Sequence, residues 1–207
     1  MAIDKHKYLA NIFEDMALIQ SNADLISKYT QMFGESLART VEDDIWAELD
    51  GFQTTQALAA DNRVQADDLE AILNNLYSMD IDPNNCSFTV NNNILSDMLN
   101  PSGGIAQYFI RQDAVGNGGG LRTGAVGLIY GMDVFYSRAI SSSASTGAKV
   151  GAVYVPDACV FAAQQDVRVQ AQYDVEYLGT KVVADIVYGA KLIDESGHLM
   201  GLNLTNP

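Results

Sequence analysis

The chain has 207 residues, of which 48% are hydrophobic and 18% are charged, a composition typical of a globular protein and not of a disordered one. Its formal net charge of −14 argues against tight binding of nucleic acid, because Lys and Arg must neutralise phosphates, and no sequence-specific binding is therefore expected. No apolar run approaches the ~20 residues of a membrane helix, and no signal peptide is visible. The two cysteines, Cys86 and Cys159, follow no pattern and are interpreted as reduced thiols, although their spacing does not exclude a disulfide.

The first half of the chain is predicted to be mainly helical. Residues 7–20 read as a strand that runs into a helix, and a long helix is predicted over 22–50, with Ser21 and Asn22 as N-caps and Gly51 as a stop signal. Its apolar stripe advances in steps of three and then four residues, which predicts packing across a sheet within one subunit and not a coiled coil. The stripe consists of Ile26, Tyr29, Phe33, Leu37, Val41, Ile45 and Leu49.

Shorter elements follow. Residues 52–65 read as a loop and 66–79 as a second helix with acids in its first turn. A turn is predicted at 82–85, a strand at 87–90 and a helix at 93–100. Two acidic sets, Asp43, Asp44 and Glu48 on the long helix and Asp67, Asp68 and Glu70 on the second, are interpreted as solvated faces, with adventitious cation binding as the alternative.

The second half is predicted to be mainly strands. A glycine-rich loop at 116–120 precedes a β-rich segment at 124–137, and a serine-rich loop covers 141–147. Strands are predicted at 150–155, 166–173 and 182–192, with a short helix at 156–165. A turn at 195–198 leads to a returning strand at 199–204. Helices early and strands late indicate an α+β fold.

Three stretches of this sequence carry a family resemblance. The first runs from His6-Lys7-Tyr8 to Asp24-Leu25. The second is a Gly-x-Val-Gly-x-Ile-x-Gly-x-x-Val run from Gly124 to Val134, followed by Ser137. The third starts at Asp157-Ala158 and includes the Tyr188-Gly189-Ala190 step. In this order they resemble the Hong Kong 97-type fold of tailed-bacteriophage major capsid proteins.

The resemblance implies a long spine helix, a peripheral lobe formed by residues 1–81 and 166–207, and an axial lobe formed by 82–165. It implies a structural subunit and not an enzyme, without cofactor or metal, that joins copies of itself as pentamers and hexamers in an icosahedral shell around double-stranded DNA. Scaffolding and decoration proteins are further expected partners, whereas a membrane is not. The implied location is the virion, after assembly in the bacterial host cytoplasm.

Two loops, the glycine-rich 116–123 and the serine-rich 141–149, are the candidate mobile contacts around the capsomer centre. Loops of this kind often carry contacts. The candidate contact residues are Gly116, Gly118, Gly119, Gly120, Arg122, Ser141, Ser142, Ser143 and Lys149.

One feature departs from the family pattern. Members carry an N-terminal arm and an extended loop before the spine helix, whereas Met1 here precedes the predicted helix by about twenty residues. We therefore expect a truncated form, engineered or naturally short, that is impaired in assembly.

Other functions find little support among the residues. The segment 116–124 lacks the Gly-Lys-Ser/Thr of a phosphate loop, and neither His6 nor His198 has a second ligand at metal-binding spacing. Ser141 to Ser143 lack a nucleophile elbow. An encapsulin-like compartment shell protein is the alternative within the same fold, and a monomeric ligand-binding module that uses the glycine-rich loop is the second alternative.

Overall fold

The computed structural model describes residues 2–16, 24–60, 63–99, 125–143, 145–193 and 200–207. The chain divides into two compact units, a first unit of Met1–Ile45 with Val160–Lys191 and a second unit of Trp46–Cys159 with Leu192–Pro207. The segments 46–81 and 192–207 therefore belong to the unit that contains 82–159, although the sequence assigns them to the peripheral lobe. The peripheral and axial lobes are named for where they would lie in an assembled shell, which the compact units do not describe. The assignment of residues to these lobes therefore stays a prediction.

The described helices are α1 (Leu25–Leu49), α2 (Ala66–Ser78) and α3 (Asn92–Leu99). The strands in chain order are β1 (Lys5–Glu14), β2 (Thr55–Ala57), β3 (Ser87–Val90), β4 (Ala125–Ile129), β5 (Met132–Tyr136), β6 (Lys149–Tyr154), β7 (Cys159–Asp174), β8 (Gly179–Leu192) and β9 (Gly201–Thr205). Helices and strands are mixed, which confirms the predicted α+β class.

The first unit is a three-stranded sheet covered by α1. The strand order is β1-β8-β7, and β1 runs antiparallel to β8 with Lys5 opposite Tyr188 and Glu14 opposite Gly179. Because side chains alternate between the faces of a strand, every second residue of β8 points to one face. Ala184, Ile186 and Tyr188 share that face and are buried.

Helix α1 is about 37 Å long at ~1.5 Å per residue. Asp24 caps it by accepting a hydrogen bond from the Ser27 amide at 3.2 Å, whereas the predicted caps Ser21 and Asn22 lie outside the described residues. Phe33, Leu37 and Val41 of the predicted stripe pack against Ala184, Ile186 and Tyr188. The stripe thus packs on a sheet of its own chain, as predicted.

The second unit is built on a six-stranded sheet. Its order is β2-β9-β6-β3-β5-β4, in which β2 is parallel to β9 and β3 to β5, while the remaining neighbours are antiparallel. One buried cluster joins its strands to the helices: Leu69, Ile72 and Leu76 of α2 and Ile94 and Met98 of α3 lie in the same cluster as Phe88, Val134, Val153 and Leu202. The central strands are therefore apolar runs, consistent with burial.

One carboxylate and one side-chain amide satisfy backbone N–H groups near the N-terminal ends of α2 and α3. Asp68 is buried and accepts hydrogen bonds from the amides of Ala59 at 3.0 Å and Gln65 at 2.8 Å. Asn91 accepts a hydrogen bond from the Ile94 amide at 2.9 Å and so caps α3. The interpretation of Asp68 as part of a solvated acidic face is therefore wrong, because its oxygens satisfy backbone donors.

Three predicted elements differ from the structure. The helix predicted over 156–165 is wrong: only Pro156–Ala158 is helical, as a single 3₁₀ turn, and β7 starts at Cys159. The β-forming Val160 and Phe161 and the pairing partner β8 favour a strand there. The predicted loop at 52–65 contains β2, and the returning C-terminal strand, β9, pairs with β2 and β6 rather than with the strand before it.

Candidate assembly surfaces

The glycine-rich loop cannot be placed among the described contacts. Gly116, Gly118, Gly119, Gly120 and Arg122 all lie outside the described residues.

The serine-rich loop is exposed but anchored to its own unit. Ser141, Ser142 and Ser143 are all exposed. The Asn91 side-chain amide donates to the Ser141 carbonyl at 2.9 Å, and that of Asn206 donates to the Ser143 carbonyl at 2.6 Å. The loop is also bonded internally, because the Ser143 amide donates to the Ser141 hydroxyl oxygen at 3.1 Å and the Ser143 hydroxyl donates to that of Ser145 at 2.9 Å. The backbone is thereby fixed on an exposed surface of the unit.

Lys149, the last predicted contact residue, is engaged inside the second unit. Its ammonium donates to the Asp50 carbonyl and lies 3.4 Å from the Asp50 carboxylate. The buried Asn203 amide donates to the carbonyls of Asp50 at 3.1 Å and Phe52 at 3.3 Å. A cation and an amide at the C-terminal end of α1 satisfy carbonyls that have no partner within the helix, so Lys149 stabilises this end of α1.

A second polar group fixes α1 to its sheet. The Tyr188 hydroxyl donates to Asp44 at 2.5 Å, and the ammonium groups of Lys5 and Lys7 lie 3.5 Å and 3.6 Å from the same carboxylate. Burial by itself would raise the pKa of Asp44, but the Tyr188 hydrogen bond and the two lysines outweigh it and lower the pKa. Asp44, predicted to be a solvated acid, is thus a docking residue between α1, β1 and β8.

Asp185 is the centre of a polar cluster on the other face of β8. Arg168 on β7 makes two hydrogen bonds with its carboxylate, from Nε at 3.1 Å and Nη2 at 2.9 Å. Gln165 donates to it at 2.9 Å, and His6 lies at 3.3 Å. The cluster joins all three strands of the sheet, and the hydrogen bond from Arg168 is the main cause of a lowered pKa of Asp185.

Strand β7 is the most exposed element of the first unit. It is 16 residues long, and most of its side chains are exposed. Among the described strands only β8 lies beside it, so its outer edge is open. Four exposed apolar side chains, Phe161, Val167, Val169 and Tyr173, retain between 42% and 49% of their accessible surface. The sequence does not reveal this surface, because its pattern predicts a helix over 156–165 and a shorter strand over 166–173 in place of β7.

The β7–β8 turn exposes further apolar groups. Val175, Tyr177 and Leu178 are each more than 60% exposed, which is unusual for large apolar side chains in a group. Gly179 closes the turn, since an added Cβ would lie 2.6 Å from the Phe13 carbonyl oxygen. The alternation of apolar residues through Val167, Val169 and Tyr173 is the sequence signal that points to this surface.

No group of three or more His, Cys, Asp or Glu side chains in the described part of the chain is arranged to hold a metal ion. Cys86 is buried, and burial raises its pKa to about 11, which keeps the thiol protonated at neutral pH. Within the described ranges, no helix is long and apolar enough to cross a bilayer.

A model of the phage capsid protein family matches residues 3–199 of this chain. The chain belongs to the phage capsid protein family. It is a major capsid protein, and the family predicted from the sequence is thereby confirmed. No curated protein sequence shows a significant match.

Solved structures show the same fold. The capsid protein superposes on a chain from Mycobacterium phage Che8 with a TM-score of 0.72 and 22% identity, over 98% of this chain and 71% of the other. A chain of the cyanophage P-SCSP1u capsid superposes with a TM-score of 0.69 and 15% identity, over 99% of this chain and 73% of the other. A chain of the virus-like particle from Pyrococcus furiosus superposes with a TM-score of 0.65 and 13% identity, over 97% of this chain and 76% of the other.

The family assigns the chain a structural role. It places the protein in a capsid and therefore in the virion. The encapsulin-like compartment and the monomeric ligand-binding module are not favoured, because the family model covers nearly the whole chain and describes phage capsid proteins. The predicted lack of enzymatic activity remains a prediction.

Proposed function

We propose that copies of this capsid protein associate as pentamers and hexamers and close into an icosahedral shell around double-stranded DNA in the bacterial host cytoplasm. The observation that carries the proposal is the match of the phage capsid family over residues 3–199. Self-association in closed symmetry builds such shells from many individually weak contacts.

The two predicted loops are proposed as contacts around the capsomer centre. The backbone of Ser141 to Ser143 is held by Asn91 and Asn206, so the exposed loop would meet a neighbour as a preformed surface. We propose the same role for Gly116 to Arg122. Lys149 contributes indirectly, since its bond to Asp50 fixes the end of α1 beside the strand that follows the serine loop.

The acidic balance favours a shell that does not bind its DNA tightly. A net charge of −14 opposes the counterion release that drives strong binding to phosphates. Packaged DNA would therefore stay mobile inside the shell. Scaffolding and decoration proteins are proposed as further partners.

Light scattering coupled to size exclusion, followed by electron microscopy, tests the assembly proposal. The purified protein is measured over a hundredfold range of concentration, with and without linear double-stranded DNA. We expect masses of five or six copies and, only at the highest concentrations, closed particles, which would mean that the impairment of assembly predicted from the sequence is incomplete. A chain that stays monomeric at every concentration, with and without DNA, would contradict the proposal.

A further inference from the structure

The open edge of β7 carries the features of a strand that pairs with another strand. It extends from Cys159 to Asp174 with no proline, and its only charged residues before Asp174 are Asp166 and Arg168. Proteins normally protect exposed edges with charges, prolines, bulges or a covering segment. Arg168 offers little protection of this kind, because its guanidinium turns back to Asp185.

The backbone at the middle of β7 is ready to pair. The Val167 amide donates to the side chain of its own neighbour, Asp166, at 2.7 Å. This amide therefore points toward the open edge and not toward β8. Backbone donors in a ladder alternate between the two sides of a strand, so the odd-numbered residues around Val167 present their amides and carbonyls outward.

The sequence of β7 is nearly symmetric about Val167. Reading outward in both directions, Asp166 matches Arg168, Gln164 matches Gln170, Ala163 matches Ala171, and Phe161 matches Tyr173. In an antiparallel pair of identical strands centred on Val167, these matched residues lie directly opposite each other. Opposite charges and aromatic pairs across such strands are stabilising.

Charge selects this register over its neighbours. Centring the pair on Asp166 or on Arg168 would place two like charges face to face, which is destabilising. Arg168 uses Nε and one Nη2 hydrogen on Asp185, which leaves three of its five N–H donors for the Asp166 carboxylate of the other copy. Asp166 would then release the Val167 amide to the carbonyl of the partner strand.

We propose that two copies of this capsid protein pair through the outer edges of β7, antiparallel and with a twofold axis at Val167, so that two three-stranded sheets form one six-stranded sheet. The inference rests on the proposed association of copies and names one of the contacts by which they associate. A self-complementary strand is the simplest isologous contact, since the same patch serves both partners.

Disulfide trapping tests the register with two matched valines. Val167→Cys places two thiols on the twofold axis, where opposite residues of a hydrogen-bonded pair have Cα atoms about 5.5 Å apart, within disulfide range. Val169→Cys is the control, because Val169 is equally exposed at 42% but would lie roughly 14 Å from its mate at ~3.4 Å per residue. Under mild oxidation we expect Val167→Cys to form covalent dimers about tenfold faster than Val169→Cys.

A mixture of Val169→Cys with one further variant tests the antiparallel order. Gln165 and Val169 are opposite each other in the proposed pair, so Gln165→Cys mixed with Val169→Cys should give the mixed dimer in excess of both homodimers. The parent protein, which holds only Cys86 and Cys159, is oxidised in parallel, and thermal unfolding checks that each variant is folded.

The outcomes separate this inference from the shell proposal, because particle formation is measured on the same samples. Equal cross-linking of the Val167 and Val169 variants, or none above the parent, would overturn strand pairing whether or not particles form. Specific cross-linking at position 167 in a chain that forms no particles would support the pairing and contradict the shell. Particles together with specific cross-linking are the expected result.

Discussion

At the scale of single residues, buried hydroxyls and carboxylates join the elements of the first unit. Tyr188 is fully buried, and its hydroxyl donates to Asp44 across the α1–β8 contact. Burial and the Asp44 carboxylate raise the pKa of Tyr188, so the hydroxyl remains a donor at neutral pH. One side chain thus supplies both apolar packing and a charge-assisted hydrogen bond.

Removing only that hydroxyl measures the hydrogen bond. Tyr188→Phe keeps the ring, while Asp44 retains Lys5 and Lys7 as partners. We expect the free energy of unfolding in urea to fall by about 1.5–3 kcal/mol, the usual contribution of a hydrogen bond to a charged group. Tyr177→Phe, at a side chain that is 61% exposed, is the control and should change nothing. Equal losses in both variants would show that the bond to Asp44 contributes no stability.

Asp185 should make stability depend on pH. Its pKa in the folded chain is lowered, chiefly by the hydrogen bond from Arg168. The ionised group therefore stabilises the fold above the unfolded-state pKa of ~3.9, and that stabilisation is lost as the pH falls through the lower folded-state pKa.

The prediction is a difference between two pH values. Asp185→Asn should lower the urea midpoint clearly at pH 7, and the gap to the parent should shrink as the pH falls below the unfolded-state pKa of ~3.9. Exposed Asp4→Asn serves as the reference for general charge effects. A gap that stays constant from pH 7 to pH 3 would show that ionised Asp185 is not what stabilises the cluster.

At the scale of elements, periodicity predicted helices better than strands. The α1 stripe was predictable because Phe33, Leu37 and Val41 recur at helical spacing along a single face. The strand β7 was not, because only its second half alternates clearly, and Ala162 and Ala163 are compatible with a helix. Its pairing with β8 joins residues distant in sequence, a contact that local propensity does not contain.

The β4–β5 turn depends on Gly131, which lies within the segment 124–137 that was predicted to be rich in strands. Tyr130 and Gly131 both have positive φ, 50° and 89°, the requirement of a two-residue turn that matches strand twist. An added Cβ at Gly131 would lie 2.2 Å from the Asn84 side-chain oxygen, which itself is held near Asp82. Glycine is therefore required at position 131 both by the positive φ and by the short distance to the Asn84 side chain.

Comparison with a second glycine separates these two requirements. Gly147 has a φ of 76° but nothing within 4 Å of an added Cβ, so Gly147→Ala should cost only about 1 kcal/mol of conformational strain. Gly131→Ala should cost roughly 2–4 kcal/mol, because it adds the displacement of Asn84. Adding Asn84→Ala to Gly131→Ala should recover part of the difference. Equal costs at the two glycines, measured by chemical unfolding, would contradict the role of Asn84.

At the scale of the whole molecule, the sequence indicated the family, whereas the pairing partners of the last strand came only from the structure. The order of elements and a few motifs were enough for the capsid resemblance. The assignment of β9 to the second unit rests on its pairing with β2 and β6 and on the Asn203 bonds to the end of α1. Both are long-range contacts between short segments, which leave no periodic signal in the sequence.

The long-range contacts of the candidate surfaces likewise left no signal in the sequence. The serine-rich loop was visible as composition, but its anchoring by Asn91 and Asn206 was not. Lys149 was predicted to be a contact residue of the second loop, whereas its neighbour in space, Asp50, is distant in sequence. The β7 edge was missed because exposure of an edge strand is a property of the sheet and not of the strand.

Net charge gives the last prediction, which concerns the association of whole molecules. Each copy carries −14, so copies repel one another at long range, while the proposed contacts are short-range. Raising the ionic strength from 0.01 M to 0.1 M shortens the Debye length from about 30 Å to about 10 Å. At fixed protein concentration, we therefore expect the mass measured by light scattering to rise with NaCl over this range. A parallel series with KCl separates screening from specific sodium binding. A mass that instead falls with salt would mean that attraction between opposite charges, such as Asp166 and Arg168 of paired β7 strands, outweighs the repulsion of the acidic molecules.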